Sequence, residues 1–209
     1  MGNGELRDAL TAFFHRINFN FRQIFIIDGS KRSRKANAYF SGFGRNRRVV
    51  IYDTLQDILT VPELVAVLAH EIGHYKKRHI YFTMVFGAIQ AGLLLYIFSL
   101  VAHIPNFSMA LGGEPSFHMA LLVFTFLYGP ISLISGLILN SFSRRFEFQA
   151  DAFAARNGQA AFLQSALKKL TASNLSNLNP HPWYVFFNHS HPPLNQRMAQ
   201  LQTIADEME

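Results

Sequence analysis

The sequence predicts a mainly α-helical membrane protein that carries a small β-hairpin and strand region and a two-helix transmembrane hairpin. Two observations predict this fold class. Half of the 209 residues are apolar and only 15% are charged, whereas about 25% are charged in an ordinary soluble domain. Two uncharged apolar stretches each have the length that a helix needs to cross a bilayer, about 20 residues.

Composition also excludes several classes of protein. A positive mean hydropathy of +0.13 excludes an intrinsically disordered chain. The absence of cysteine excludes a disulfide framework, a thiolate metal site and a cysteine nucleophile. The net charge of +6 is typical of a protein that meets nucleic acid or an anionic membrane. We favour the lipid bilayer and expect no nucleic-acid partner, because no nucleic-acid motif accompanies the basic clusters.

The chain divides into three predicted segments. Residues 1–79 form a soluble α+β segment that ends in a helix with paired histidines. Residues 80–142 form the transmembrane hairpin, and residues 143–209 supply C-terminal helices and a His-Pro-Pro loop. Within these segments the patterns predict short helices at 4–17, 160–174 and 194–207, a strand at 23–28, a hairpin of strands 37–43 and 48–53, and an irregular loop over 178–193.

The two apolar stretches span about 80–102 and 119–139. The segment between them, 103–116, contains no lysine or arginine, whereas 76–78 and 144–145 are basic. The positive-inside rule therefore places both outer ends in the cytoplasm. Such a hairpin returns the residues near 147 to the membrane face that holds the residues near 74. The alternative is a pair of buried core helices in a soluble protein.

A metal-binding pattern lies just before the first span. Thr60 and Glu63 have the spacing of a capping box at a helix start. The zincin-like HExxH helix that follows carries His70, Glu71 and His74. Residues four apart share one helix face, so two imidazoles can bind one ion while the glutamate acts as general base. Zinc is the natural ion for imidazole and carboxylate ligands at a catalytic site.

A third ligand is expected beyond the second span. Glu147 and Asp151 are also four residues apart, at the helix end that the hairpin returns towards the histidines. We therefore expect Glu147 to be the third zinc ligand and Asp151 to accept a hydrogen bond from a ligand imidazole. The alternative is a solvated acidic helix face.

These residues resemble a known family. His70–His74, the stretch SRRFEFQADAFA from residue 143, Asn37-Ala38-Tyr39 and the SHPPL stretch from residue 190 are similar to the type 1 CaaX prenyl proteases, which are sterile-24-type integral membrane zinc metalloproteases. The resemblance runs from about residue 5 to about residue 201.

The resemblance implies roles for further residues. Asn37 and His191 would contact the substrate backbone and stabilise the oxyanion, and Arg197 would join the site. Arg144 would pair with acidic groups near the zinc helix. The strand that contains Asn37, Ala38 and Tyr39 would pair with an extended substrate. Members of this family carry several more transmembrane helices before the region that begins here, so we expect a missing N-terminal transmembrane region or a partner chain.

We therefore expect an integral membrane zinc metalloendopeptidase with one Zn²⁺ per chain and its active site on the cytoplasmic side. Its substrate would be a peptide or protein, and the resemblance implies a prenylated one. The first alternative is an HtpX-type membrane quality-control protease. The second is an inactive membrane scaffold or a fragment of a larger protease.

Overall fold

The computed structural model describes residues 3–20, 23–28, 31, 38–41, 48–175 and 177–208. Helices dominate these residues, as the sequence predicts. The helices are α1 (Asn3–Arg16), α2 (Asp53–Ile58), α3 (Val61–Lys76), α4 (His79–His103), α5 (Pro105–Ala110), α6 (Phe117–Ala154), α7 (Ala160–Ser173), α8 (Pro182–Asn188) and α9 (Leu194–Asp206). The strands are β1 (Gln23–Ile27), β2 (Ala38–Ser41) and β3 (Arg48–Tyr52).

The three strands form one sheet in the order β1-β3-β2. The predicted hairpin is confirmed in its strands, since β2 pairs antiparallel with β3 and Tyr39 lies opposite Val50. Its predicted turn at 44–47 lies outside the described residues. β1 runs parallel to β3, with Phe25 opposite Val50. The side chains of Val49, Val50 and Ile51 are buried, and Val49 and Ile51 of β3 belong to the apolar core together with Ala38 of β2.

A single apolar core joins the sheet to the helices that carry the candidate ligands. It includes Leu10 of α1, Ile51 of β3, Leu68 of α3, Leu163 of α7 and Leu201 of α9, all fully buried. Each side chain of this size contributes about 1.5–3 kcal/mol when it leaves water. The helix with the paired histidines, α3, therefore has packing partners on several sides and is held firmly.

The two apolar helices agree with the predicted spans. α4 and α6 are long and apolar enough to cross a membrane, and the 25 residues of α4 extend about 37 Å at 1.5 Å per residue. Their apolar side chains face outwards, with Ile89 66% and Phe126 70% exposed. This exposure contradicts the alternative of buried core helices and suggests an integral membrane protein. Gln90 links the helices by donating to the hydroxyl of Ser135 at 3.1 Å.

The second span continues without interruption into the helix end that carries Glu147 and Asp151, because α6 is one helix of 38 residues. α3 and α6 approach each other closely at Gly73. A Cβ atom at this position would lie 2.8 Å from the Cα atom of Ala150. Glycine is therefore required here, since any larger side chain would separate the two backbones.

A wide turn after α6, Ala155–Gln159, redirects the chain so that α7 packs against α3. Gly158 has a φ of +73° in this turn, a conformation that glycine adopts without steric cost. Arg16 of α1 fastens the turn by donating to the carbonyl of Asn157 at 2.8 Å.

Two segments that we expected to be irregular contain short helices. α8 lies within the predicted loop 178–193, and α5 lies within the connection 103–116. Both begin with proline in the first turn, where its fixed φ favours a helix start. The imidazole of His181 also accepts from the backbone N–H of Trp183 at 3.3 Å, which caps α8.

Replacement of Gly73 by alanine should push α3 and α6 apart. We expect Gly73→Ala to lower the free energy of unfolding by about 1–3 kcal/mol, the usual cost of overpacking, and to weaken metal binding as well. The measurement is thermal unfolding in detergent together with a zinc titration. Gly87→Ala is the matched control, because beyond the adjacent residues and the backbone of its own helix no atom lies within 4 Å of a Cβ built there. Equal behaviour of the two variants would contradict a close contact at Gly73.

Glu63 should make stability depend on pH. Burial would raise the pKa of Glu63, but hydrogen bonds from Lys169, Ser165 and the backbone N–H of Thr60 outweigh it and lower the pKa to about 2. The predicted capping-box contact between Thr60 and Glu63 is thus present. A lowered pKa means that this stabilisation is complete above the ordinary value of 4.5 and is lost as the pH falls through about 2.

We expect Glu63→Gln to lower the free energy of unfolding by about 1–3 kcal/mol at neutral pH. The difference in stability between this variant and the wild type should become smaller as the pH falls from 4.5 to 2. Thermal unfolding at several pH values measures this, with the exposed Glu5→Gln as control. A stability difference that does not change over this range would show that the hydrogen-bond partners of Glu63 do not lower its pKa.

Candidate metal centre

Three side chains from α3 and α6 converge on one point. The Nε2 atoms of His70 and His74 are 3.1 Å apart. The carboxylate of Glu147 lies 3.6 Å from His70 Nε2 and 3.3 Å from His74 Nε2. Ligand atoms that surround a tetrahedral zinc ion at 2.0–2.1 Å lie about 3.3 Å from one another. The spacing of these three donors is therefore close to what one ion of that size requires.

The chemistry of the donors also fits a cation. His70 donates from Nδ1 to the carboxylate of Asp151 at 2.8 Å, so its Nε2 atom presents a lone pair. This lone pair faces the Nε2 atom of His74 and the carboxylate of Glu147, which are electron-rich as well. Such atoms repel one another unless a proton or a metal ion lies between them. Imidazole and carboxylate together suit a divalent transition metal.

Asp151 and Arg197 support this arrangement from behind. Asp151 is fully buried and receives two hydrogen bonds from Arg197, at 2.8 Å and 2.6 Å. Burial would raise the pKa of Asp151, but the hydrogen bonds from His70 and Arg197 outweigh it and lower the pKa below the ordinary value. The guanidinium of Arg197 also lies 3.3 Å from Glu147. Asp151 is therefore ionised and can fix the ring of His70.

Glu71 lies beside the three donors without being one of them. It faces a cavity of about 190 Å³ whose polar walls are His70, Glu147, His191 and Arg197. Burial raises the pKa of Glu71 above its ordinary value. A carboxylate with a raised pKa beside a metal site is a suitable general base.

The His-Pro-Pro segment closes the other side of the cavity. His191 lies with its Nδ1 atom 3.1 Å from the carboxylate of Glu147. This contact raises the pKa of His191 above its ordinary value. The pKa of Glu147 is well below its ordinary value, because the contacts with His191 and His74 outweigh the opposing effect of burial. His191 can therefore donate a proton or a hydrogen bond at the mouth of the site.

We expected Arg144 to pair with acidic groups near the zinc helix, and this expectation is wrong for the described residues. The guanidinium of Arg144 donates to the carbonyl of His189 at 2.7 Å, and among the described residues it forms no ion pair. The neighbouring Asn140 donates to the carbonyl of Phe187 at 3.3 Å. These contacts hold α8 and the chain that follows it against α6. Arg144 therefore helps to position the segment that carries His191, and it does not pair with the carboxylates of the metal centre.

The expected substrate strand lies partly outside the described residues. Asn37 is one of the residues that the structure does not describe, so its role stays a prediction. Ala38 is buried and lines the cavity beside Glu71. Tyr39 belongs to β2, which is an edge strand. Within the described part of the chain, β2 has a neighbouring strand on one side only.

Sequence reasoning missed two further groups at this site. One is an apolar wall of the cavity, formed by Leu163, Leu167 and Leu170 of α7. Its helical spacing gave only the signal of an ordinary core face. The other is His79, whose Nδ1 atom lies 3.0 Å from Nδ1 of His74. No spacing rule predicts this contact, because it depends on the left-handed conformation of Arg78 (φ 59°) between α3 and α4.

Comparison with known proteins agrees with this geometry. The sequence profile of peptidase family M48 matches residues 2–205. A CAAX prenyl protease 1 homolog of Oryza sativa subsp. japonica is 38% identical over 203 residues, which cover 95% of this chain and 47% of the relative. A homolog of the same name from Dictyostelium discoideum is 40% identical, with 93% and 46% covered.

The fold has a solved counterpart. The crystal structure of S. mikatae Ste24p superposes with a TM-score of 0.83 and 33% sequence identity, over 96% of this chain and 50% of that one. The chain thus spans about half the length of these relatives. The resemblance to the type 1 CaaX prenyl proteases is confirmed, and the profile match over nearly the whole chain means that this protein belongs to peptidase family M48.

Proposed function

We propose that this chain is the catalytic half of a membrane-embedded zinc metalloendopeptidase of the CaaX prenyl protease type. The observation that carries the proposal is the convergence of His70, His74 and Glu147 beside Glu71 in one cavity. Because the chain belongs to a peptidase family, we interpret these residues as a site for peptide-bond hydrolysis. One Zn²⁺ per chain would be held by the two imidazoles and the Glu147 carboxylate. When bound, zinc would supply Lewis acidity towards a peptide carbonyl and would lower the pKa of a water molecule.

The residues of the chain would divide the remaining work. Glu71 takes the proton from the attacking water and returns it to the leaving amine, the usual task of a general base. His191 donates to the oxygen on which negative charge develops, and Asn37 is proposed for the same task. Removing one donor of this kind typically costs about 100- to 1,000-fold in kcat. Asp151 and Arg197 keep His70 and Glu147 in place.

The substrate would lie along the edge of the sheet. Among the described residues β2 has a neighbouring strand on one side only, and Ala38 and Tyr39 would form ladder hydrogen bonds with an extended peptide along its other edge. The apolar wall of Leu163, Leu167 and Leu170 suits an aliphatic side chain near the cleaved bond. The names of the relatives from rice and Dictyostelium support a prenylated substrate.

The placement of the site follows from the basic flanks of the two spans. Residues 76–78 and 144–145 are basic, while 103–116 has no lysine or arginine. We propose that the active site lies on the cytoplasmic side, with the lipid bilayer around α4 and α6. A reporter inserted at 103–116 should be found outside the cytoplasm. Since this chain spans about half of the length of its relatives, we also propose that an N-terminal transmembrane region or a partner chain completes the walls around the active site.

Replacement of Glu71 by glutamine should separate metal binding from catalysis. Glu71→Gln keeps the shape of the side chain but removes the base, so we expect one zinc per chain and at least about 100-fold slower cleavage of a quenched peptide. Glu114→Gln is the control, because Glu114 lies in the connection between the spans. Folded wild-type protein without zinc, or an active Glu71→Gln variant, would contradict the proposal.

Substrate prenylation should decide between the two kinds of membrane protease. We expect a farnesylated peptide to be cleaved more efficiently than the same peptide without the lipid, because the apolar wall of the cavity and the membrane surface both favour it. The measurement compares kcat/KM for the matched pair. Equal rates, together with cleavage of unfolded membrane proteins, would favour the HtpX-type alternative. Bound zinc without cleavage of any peptide, even with the N-terminal half supplied, would favour the inactive scaffold.

A further inference from the structure

Besides the contacts of Asp151 and Arg197, a second series of hydrogen bonds reaches the candidate metal centre, from the start of α4. The imidazole of His79, at the first position of α4, lies with Nδ1 3.0 Å from Nδ1 of His74. Its Nε2 atom lies 2.9 Å from the side-chain oxygen of Gln149 on α6. His79 is buried, and its ring stacks on Phe146 with 4.1 Å between the ring centroids. The ring therefore has one fixed orientation.

The side-chain oxygen of Gln149 determines which atoms donate and which accept in this series of hydrogen bonds. An amide oxygen can only accept a hydrogen bond, so His79 must donate from Nε2 to Gln149. A neutral imidazole carries one N–H group, which leaves Nδ1 of His79 as an acceptor. The proton between the two Nδ1 atoms therefore belongs to His74. The Nε2 atom of His74 is then a free lone pair, and it points at His70 and Glu147.

The opposite orientation of the Gln149 amide would prevent His74 from binding a metal ion. If Gln149 presented its NH₂ group, Nε2 of His79 would accept, and its Nδ1 would donate to His74. His74 would then carry its proton on Nε2, between the three donors, where it would exclude a metal ion. The orientation of Gln149 and the capacity of His74 to bind a metal are thus coupled through His79.

We propose that His79 and Gln149 are positioning residues that select the metal-binding tautomer of His74. This inference rests on the metal centre of the proposed function and extends it. Asp151 performs the corresponding task for His70 with a charged group, whereas His79 does so for His74 with a neutral one. Partners of this kind typically contribute 10- to 100-fold to metal affinity.

The test is a zinc titration of the purified chain in detergent against a chelating dye. His79→Phe keeps the ring that stacks on Phe146 but removes the acceptor, and we expect zinc to bind about 10- to 100-fold more weakly. His79→Asn places an oxygen where Nδ1 lies, and it should restore most of the affinity. His103→Phe is the matched control at the other end of α4, where His103 donates to the carbonyl of Ser99. It should bind zinc like the wild type.

Gln149 offers a second pair of variants at an exposed position, where we expect substitution to leave folding intact. Gln149→Glu keeps an acceptor for His79 and should retain the wild-type affinity or exceed it. Gln149→Met removes the acceptor and should bind more weakly than Gln149→Glu. This pair decides the question even if His79→Phe proves to be unfolded by circular dichroism.

Nitrogen NMR of the zinc-loaded chain gives a readout that a purely structural role would not move. We expect His79 to be the neutral tautomer with its proton on Nε2. A proton on Nδ1 of His79, or a doubly protonated ring, would overturn the proposal. So would a folded His79→Phe variant that binds zinc as tightly as the wild type. A wild-type chain that binds no zinc would instead contradict the metal centre itself.

Discussion

The close approach of α3 and α6 is the constraint on which the rest of the structure depends. Gly73 lets the two backbones meet at Ala150, and the helical repeat then places Glu147 and Asp151 opposite the paired histidines. A larger separation would move Glu147 away from His70 and His74 and weaken metal binding. The same glycine lies inside the HExxH motif, so one short stretch of α3 supplies two ligands, the base and the contact that brings the third ligand.

Charge gives a second reason to expect a metal ion at this contact. Glu71 and Glu147 line the cavity, Asp151 lies buried behind His70, and the guanidinium of Arg197 contacts both Glu147 and Asp151. With neutral histidines and ionised carboxylates, these four groups leave a formal charge of −2. A buried excess of this size is costly unless it is paired. A divalent cation between His70, His74 and Glu147 would balance it, and this explains why acidic groups can be so concentrated beside an apolar core.

Sequence alone predicted the parts of the site that follow from local spacing and from topology. His70, Glu71 and His74 follow from one helical turn. Glu147 and Asp151 follow from the return of a helical hairpin. The partner of Arg144 was predicted wrongly, and the contact of His79 was missed, because both depend on how α8 and the start of α4 pack against α6. The parallel pairing of β1 likewise depends on tertiary contacts that no short pattern encodes. Asn37 lies outside the described residues and stays a prediction.

The most direct test of this account is X-ray absorption at the zinc edge of the purified, zinc-loaded chain. Two imidazole nitrogens and carboxylate oxygen, each at about 2.0–2.1 Å, are the ligands that the geometry of His70, His74 and Glu147 predicts. The spectrum of Glu147→Ala should lose the carboxylate contribution while the two imidazoles remain. A wild-type spectrum with fewer than two imidazoles, or one that is unchanged in Glu147→Ala, would contradict the central claim.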